Sequence, residues 1–304
     1  MKKLSIVVFG FSAKSILEWL SKHRELIVRQ DIDFHFAYYE GLIDYKVKPA
    51  NFFLHKGEEN SFERIRNVIN FLDSEFVLLA ASDDQILQLP TLDDDSGVDM
   101  VVGKTFFCTH GNSFLSASNT NNLEFHNSKK IRLLGYWSKP CPGDNSIYYS
   151  IIRLSILKRV YSIYPVNLVF HALDWAFVHF LLSISKVQKN TSFILVRDTT
   201  ASYKYTQGII KKYPDFNIEK TRDLVLKNPI GYCLKYIYEN DLKFSNELNS
   251  EIIESMLIWI NLKLDELVKQ GVAVCSKSRS ELTIFTFADI LINSSLDEFS
   301  IYEA

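Results

Sequence analysis

The chain has 304 residues, 47% of them hydrophobic and 23% charged, with a formal net charge of −2 and a pI near 6.4. That is the profile of a soluble globular protein with ample material for a core, and it excludes a global basic field for nucleic acid or an acidic tail. The four cysteines, Cys108, Cys141, Cys233 and Cys275, lie far apart with no C-x-x-C pair, so reduced thiols are expected rather than a zinc site or a disulfide framework.

The N-terminus, MKKLSIVVFGFSAKS, has too short an apolar stretch for a signal peptide and predicts a first strand over 4–10. Its β-branched, apolar run suits a buried parallel strand. Ser12 is placed to cap the helix AKSILEWLSKH, in which Ile16, Leu17 and Leu20 share a face. FHFAYY (34–39) predicts a second strand, ended by Glu40-Gly41, and NFFLH (51–55) a third. SFERIRNVINFLDS (61–74) predicts a helix with Ser61 as cap and Phe62, Ile65, Val68, Ile69 and Leu72 at spacings of three and four. FVLLAA (76–81) is the next strand. The order β-α-β-β-α-β predicts an open, mostly parallel α/β sheet. Such sheets bind ligands beyond the carboxyl ends of their strands.

VDMVVGKTFFC (98–108) predicts another strand, and the polar, Asn- and Ser-rich 109–130 a loop or irregular hairpin. Residues 148–163 and 171–185 read as helices and SFILVRD (192–198) as a late strand. From about residue 206 the texture becomes charged and helical, which divides the chain into a first domain over 1–205 and a helical C-terminal region over 206–304. The clearest helix there, 249–268, is apolar nearly all round between Met256 and Leu264. Burial is the expected reason, and docking on a membrane surface or a homo-oligomer contact is the alternative. No run approaches ~18 uncharged apolar residues, so no transmembrane helix is expected. Tyr and Phe are abundant, with 15 and 22 copies; core packing explains most of them, and stacking on a sugar or nucleobase is the sharper use.

One stretch carries chemistry. FVLLAA ends in Ser82-Asp83-Asp84, and adjacent carboxylates raise each other's pKa unless a cation or hydrogen bonds compensate. A divalent metal is a natural compensator, since magnesium or manganese is often held by one or two carboxylates plus substrate phosphates. The plain alternative is a turn cap or a solvated loop, which is also the reading of Leu92-Asp93-Asp94-Asp95-Ser96.

The run from Phe62 through Arg66-Asn67 to FVLLAASDDQILQLP resembles the metal-binding DxD-type segment of family-2-like glycosyltransferases with the GT-A fold. SIVVFGFSAKSILEWL resembles the opening strand and helix of that family, and YYSIIRLSILKRV followed by HALDWAFVHFLLSISK resembles the segment in which the family places its catalytic carboxylate, at Asp174-Trp175. Together these cover roughly residues 4–205. The resemblance implies a GT-A-like α/β domain and an inverting transfer from a nucleotide-sugar donor to a hydroxyl of a glycan or lipid-linked glycan acceptor. It implies Mn²⁺ or Mg²⁺ on Asp84 with help from Asp83, and Asp83 also toward the ribose. Phe9, Ser12, Glu40 and Arg66 are the remaining donor-side candidates, Asp174 is the general base, and Arg197 is a further candidate to face the phosphates. Gly143-Asp144-Asn145 before Tyr148-Tyr149 resembles the acceptor-side loop. His171 and His179 flank Asp174, and ordinary packing is expected of them rather than a metal pair. Surface polysaccharide synthesis at the cytosolic face of a membrane, peripheral and without spanning it, is the implied setting.

This chain departs from the family pattern at Ala81 and Leu173, where acids would stand. Those departures sustain the rival reading, a non-catalytic GT-A-like carbohydrate-binding or assembly subunit. A dinucleotide-binding fold, a P-loop and a nucleotidyltransferase would each want a Gly-rich loop after the first strand, and FGFSAKS holds one glycine. A haloacid-dehalogenase-like phosphatase would want its Asp pair after the first strand, where none stands.

Overall fold

In a computed structural model of the protein, the described residues are 2–44, 49–58, 61–92, 97–109, 112–117, 122–137, 146–163 and 173–198. The boundary expected near 205, the helix over 249–268, Gly143-Asp144-Asn145 and His171 lie outside them. The elements are β1 (Leu4–Phe9), α1 (Ala13–Lys22), β2 (Ile32–Tyr38), β3 (Phe52–Lys56), α2 (Ser61–Phe71), β4 (Phe76–Ala81), β5 (Gln85–Gln88), β6 (Met100–Thr109), β7 (Asn112–Ala117), α3 (Lys129–Trp137), β8 (Ile151–Arg153), α4 (Leu154–Ile163), α5 (Leu173–Ile184) and β9 (Val187–Asp198). Short 3₁₀ turns occupy Asn122–Phe125 and Ser146–Tyr149.

The chain divides into two units. The first holds all the strands in one sheet of order β3-β2-β1-β4-β8-β6-β9-β5, with β7 paired to β6. β3, β2, β1 and β4 are parallel neighbours, and β6 and β9 are parallel to each other. β8 runs antiparallel to both β4 and β6, and β5 antiparallel to β9. The fold is thus a GT-A-like, mostly parallel α/β sheet flanked by helices, in which β5, β7 and β8 reverse.

Strand alternation sorts the core. Leu4, Ile6 and Val8 of β1, Phe34 and Phe36 of β2, and Phe76, Leu78 and Ala80 of β4 cluster with Ala13, Ile16, Trp19 and Leu20 of α1. Ile86 of β5 and Phe193 and Leu195 of β9 join the same cluster, so the far end of the sheet curls onto α1. Leu17, expected on the buried face of α1, is 43% exposed, and Trp19 takes the stripe instead. Ser12 caps α1, its Oγ accepting the Ser15 N–H at 3.3 Å. α2 begins at Ser61 itself and buries Ile65, Val68 and Ile69.

The segment expected as one helix over 148–163 is instead a strand followed by a helix. Ile151 and Ile152 pair with both β4 and β6, and this tertiary pairing overrides the helical periodicity. The stretch 109–130 contributes β7, which pairs antiparallel with β6 so that Phe106 is opposite Ala117.

In the second unit, the described residues are 122–137 and 173–184. Arg132 of α3, buried, donates to the carbonyls of Leu182, His126 and Asn127. Trp137 Nε1 donates to His179 Nδ1 at 3.1 Å. His179, fully buried, therefore serves packing, as expected from the sequence.

Candidate functional site

The carboxyl ends of β2, β1 and β4 are laced together by backbone hydrogen bonds. Gly10 N donates to Ala37 O at 2.9 Å, Ser82 N to Phe9 O at 2.8 Å, and Tyr39 N and Glu40 N to Phe11 O at 3.1 and 2.9 Å. Ala13 N then donates to Glu40 O at 2.7 Å, so the start of α1 is bound to the end of β2. Gly10 has no room for a side chain: a Cβ there would lie 2.6 Å from Ser15 Oγ and 2.7 Å from Ser82 Oγ. Gly41 leaves β2 at φ +87°, a conformation that favours glycine. Glycine at position 10 is what lets the chain ends approach this closely.

Glu40 is exposed on this rim, where it forms a parallel bridge with Ser12. Phe11 and Tyr39 stand beside it as an exposed aromatic pair with centroids 5.5 Å apart. Phe9 is half-buried and meets Tyr148 edge-on at 6.4 Å, and Phe62 meets the same ring at 6.3 Å. Tyr148 is thereby a core residue. Ser12 uses its hydroxyl oxygen as a helix cap.

Arg66 is half-buried on α2. The arginine of α2 that reaches the strand ends is Arg64, buried, whose Nη2 donates to Gly10 O at 3.1 Å and whose Nη1 donates to Glu58 O. Sequence reasoning passed over Arg64. Its signal was its place on the buried stripe of α2, four residues before Val68, where an arginine needs a polar partner indoors.

Asp83 and Asp84 follow β4 in a tight turn. Asp84 is fully buried. Its Oδ2 accepts the Ala81 N–H at 3.2 Å, closing the turn. Its Oδ1 has no hydrogen-bond donor among the described residues and lies 3.7 Å from Arg197 Nε. Burial pushes the Asp84 carboxyl up to about 7, with a further push from Asp83 and against the opposing pull of Arg197 and of the Ala81 and Asp198 backbone. Burial also raises Asp83, which is half-buried, and Asp198 at the end of β9 adds to that rise. Among the described residues, Arg197 and Lys22 oppose that rise at Asp83, and Arg197 opposes it at Asp84. Asp198 was also missed from sequence, although it ends a strand just as Asp83 follows one.

Arg197 is held from below. Its Cζ lies 3.7 Å over the Tyr149 ring, and its Nη2 donates to the Tyr149 hydroxyl at 2.7 Å. Among the described residues no group of three or more His, Cys, Asp or Glu side chains is assembled to hold an ion. Asp83 and Asp84 are the acidic pair here, and a divalent cation held by one or two protein acids takes its remaining ligands from water or a phosphorylated ligand. Asp174 is the second residue of α5, in the other unit.

No protein-family model and no curated protein matches the chain. Among solved structures, that of S. aureus TarS 1–349 is 14% identical with a TM-score of 0.41, covering 87% of this chain and 83% of that one. A longer S. aureus TarS structure is 17% identical with a TM-score of 0.43, covering 87% of this chain and 50% of that one. The bifunctional IspDF from Campylobacter jejuni is 13% identical with a TM-score of 0.35, covering 62% and 50%.

Proposed function

We propose that the protein transfers a sugar from a nucleotide-activated donor to a hydroxyl of a glycan or lipid-linked glycan, with inversion of configuration. The observation that carries this reading is the Asp83-Asp84 doublet at the carboxyl end of β4, beside the end of β1. There Asp84 is buried with one oxygen lacking a hydrogen-bond donor among the described residues. In this reading Asp84 and Asp83 hold Mn²⁺ or Mg²⁺ against the donor's diphosphate. The cation, when bound, offsets the charge that builds on the departing nucleoside diphosphate.

The chain's own groups divide the remaining work. Glu40, Phe9, Ser12 and Arg66 are proposed on the donor side, with Asp83 toward the ribose. Asp174 takes the proton of the acceptor hydroxyl, because that oxygen attacks poorly while protonated. No described helix is long and apolar enough to cross a membrane. The proposed setting is synthesis of a surface polysaccharide in the cytoplasm, peripheral to the inner face of a membrane.

A thermal-shift panel of UDP, GDP, CDP and ADP, each with and without Mn²⁺, tests the reading. At least one is expected to raise the Tm by several degrees, and only with the cation, as any ligand of the native state does at saturating concentration. Asp84→Asn is expected to abolish that shift. A chain indifferent to every nucleoside diphosphate but stabilised by glycans would be a carbohydrate-binding or assembly subunit instead.

A further inference from the structure

We propose that Arg197 is an internal counter-cation that competes with a divalent ion for Asp84, so that the ion binds weakly alone and tightly together with the donor's diphosphate. The inference rests on the reading of the doublet as the donor site.

The geometry is that of a partner held near Asp84 but not locked to it. Arg197 Nε stands 3.7 Å from Asp84 Oδ1, well beyond the roughly 2.7–2.9 Å of a charge-assisted hydrogen bond. The guanidinium is instead fixed by Tyr149, with the ring 3.7 Å beneath Cζ and the hydroxyl 2.7 Å from Nη2. The Arg197 and Asp84 side chains are only 15% and 1% exposed, so solvent screens the pair little. A guanidinium remains charged at any working pH. Asp84 thus has a permanent cation beside its Oδ1, the oxygen that lacks a hydrogen-bond donor among the described residues.

A second positive charge on the same carboxylate is disfavoured while Arg197 faces it. A diphosphate changes the balance. Phosphate oxygens match the planar fork of an arginine better than a single carboxylate oxygen at this distance does. A guanidinium that turns from Asp84 to the diphosphate relinquishes the carboxylate to the cation. Tyr149 keeps that turn short, since it holds the group in place without supplying a charge. Loading is then ordered and cooperative: the anion removes the competitor, and the cation fills the place it leaves. In this role Arg197 is a positioning residue.

Mn²⁺ titrated alone, without nucleotide, and followed by loss of the free-ion EPR signal tests the idea on the full-length protein. Arg197→Gln is expected to bind Mn²⁺ about tenfold more tightly than the wild type or better, and Arg197→Lys to stay near the wild type. A merely structural role for Arg197 would weaken binding in Arg197→Gln, the opposite sign. Tyr149→Phe removes the hydroxyl that restrains the guanidinium, lets it settle onto Asp84, and is expected to weaken Mn²⁺ binding a few-fold. This second variant keeps the test decisive if Arg197→Gln does not fold.

Unchanged or weaker Mn²⁺ binding in Arg197→Gln overturns the proposal, as does undiminished binding in Tyr149→Phe. Asp84→Asn separates the two levels. If it loses the ion while Arg197→Gln merely matches the wild type, only the competition by Arg197 is wrong. If it binds Mn²⁺ as the wild type does, the donor-site reading falls as well.

Discussion

The most informative residue is Asp84, because its surroundings work against its ionised form. Burial raises its carboxyl from the ordinary 3.8 to about 7, even with Arg197 beside it. The folded chain therefore binds a proton that the unfolded chain has lost across that window. Its contribution to stability is greatest below the unfolded value, declines as pH rises, and has declined fully above about 7. Asp84→Asn keeps an acceptor for the Ala81 N–H and deletes the buried charge. It is expected to stabilise the protein by about 1–3 kcal/mol at pH 8 and by almost nothing at pH 4, read from urea unfolding. Equal gains at both pH values would mean that the buried charge is not the cause. His23 acts in the opposite sense. Burial lowers it against the opposing pull of the bond from Nδ1 to Trp19 O, and its Nε2 accepts the Ile86 N–H, which only the neutral ring can do. Stability from His23 is complete above 6.5 and is lost as pH falls below it. His23→Ala strands the Ile86 N–H and removes a ring stacked 3.8 Å from Trp19. The expected cost is about 1–3 kcal/mol at pH 8, shrinking in acid, measured by the same denaturation.

Among the elements, those whose sequence carries its own reason for its shape were legible. β1, β2 and β4 are apolar runs because they are buried on both faces, and α1 and α2 carry a clear stripe. β5 could not be read this way. It has four residues of which one, Ile86, is buried, and it exists by pairing with β9 and by the His23 contact from α1. β8 was hidden inside a helical period, since Ile151 and Ile152 are strand residues only where β4 and β6 are present to pair with them. The site divides along the same line. The doublet at the end of FVLLAA announces itself, whereas the approach of Arg197 to Asp84 joins the ends of β4 and β9 and has no local signature. The β4–β8–β6 junction also depends on one long-range residue. Arg153 pairs with Glu75 at 2.6 Å and Asp99 at 3.6 Å, donates to Val98 O at 3.0 Å, and lies 4.7 Å over the Phe76 ring. These side chains are about a quarter exposed, so salt screens part of their attraction. Arg153→Ala is expected to cost about 1–3 kcal/mol, mostly through lost packing and stranded polar partners, with a smaller penalty in high salt.

For the whole molecule, sheet direction separates stability from chemistry. β1, β2, β3, β4, β6 and β9 run one way, and Glu40, Asp83, Asp84, Arg197 and Asp198 all lie at or just past the carboxyl ends of these strands. Glu75 and Asp99 precede β4 and β6, so the Arg153 network sits at the opposite end. Substitutions at the two ends should therefore fail differently. Arg153→Ala should lower the Tm yet keep the full shift with nucleoside diphosphate and Mn²⁺, and Asp84→Asn should lose that shift while the apo protein becomes more stable. Asp174, in the second unit, supplies the third arm. If it is the general base, its carboxylate matters when the acceptor hydroxyl loses its proton and not when the donor binds. Asp174→Asn should leave the nucleoside diphosphate shift unchanged and slow transfer by about 10²–10⁴-fold, the usual contribution of a positioned base. Release of nucleoside diphosphate in the presence of acceptor measures it. A variant that transfers at the wild-type rate would remove Asp174 from the chemistry, and one that loses the donor-induced shift as well would make it part of the donor site.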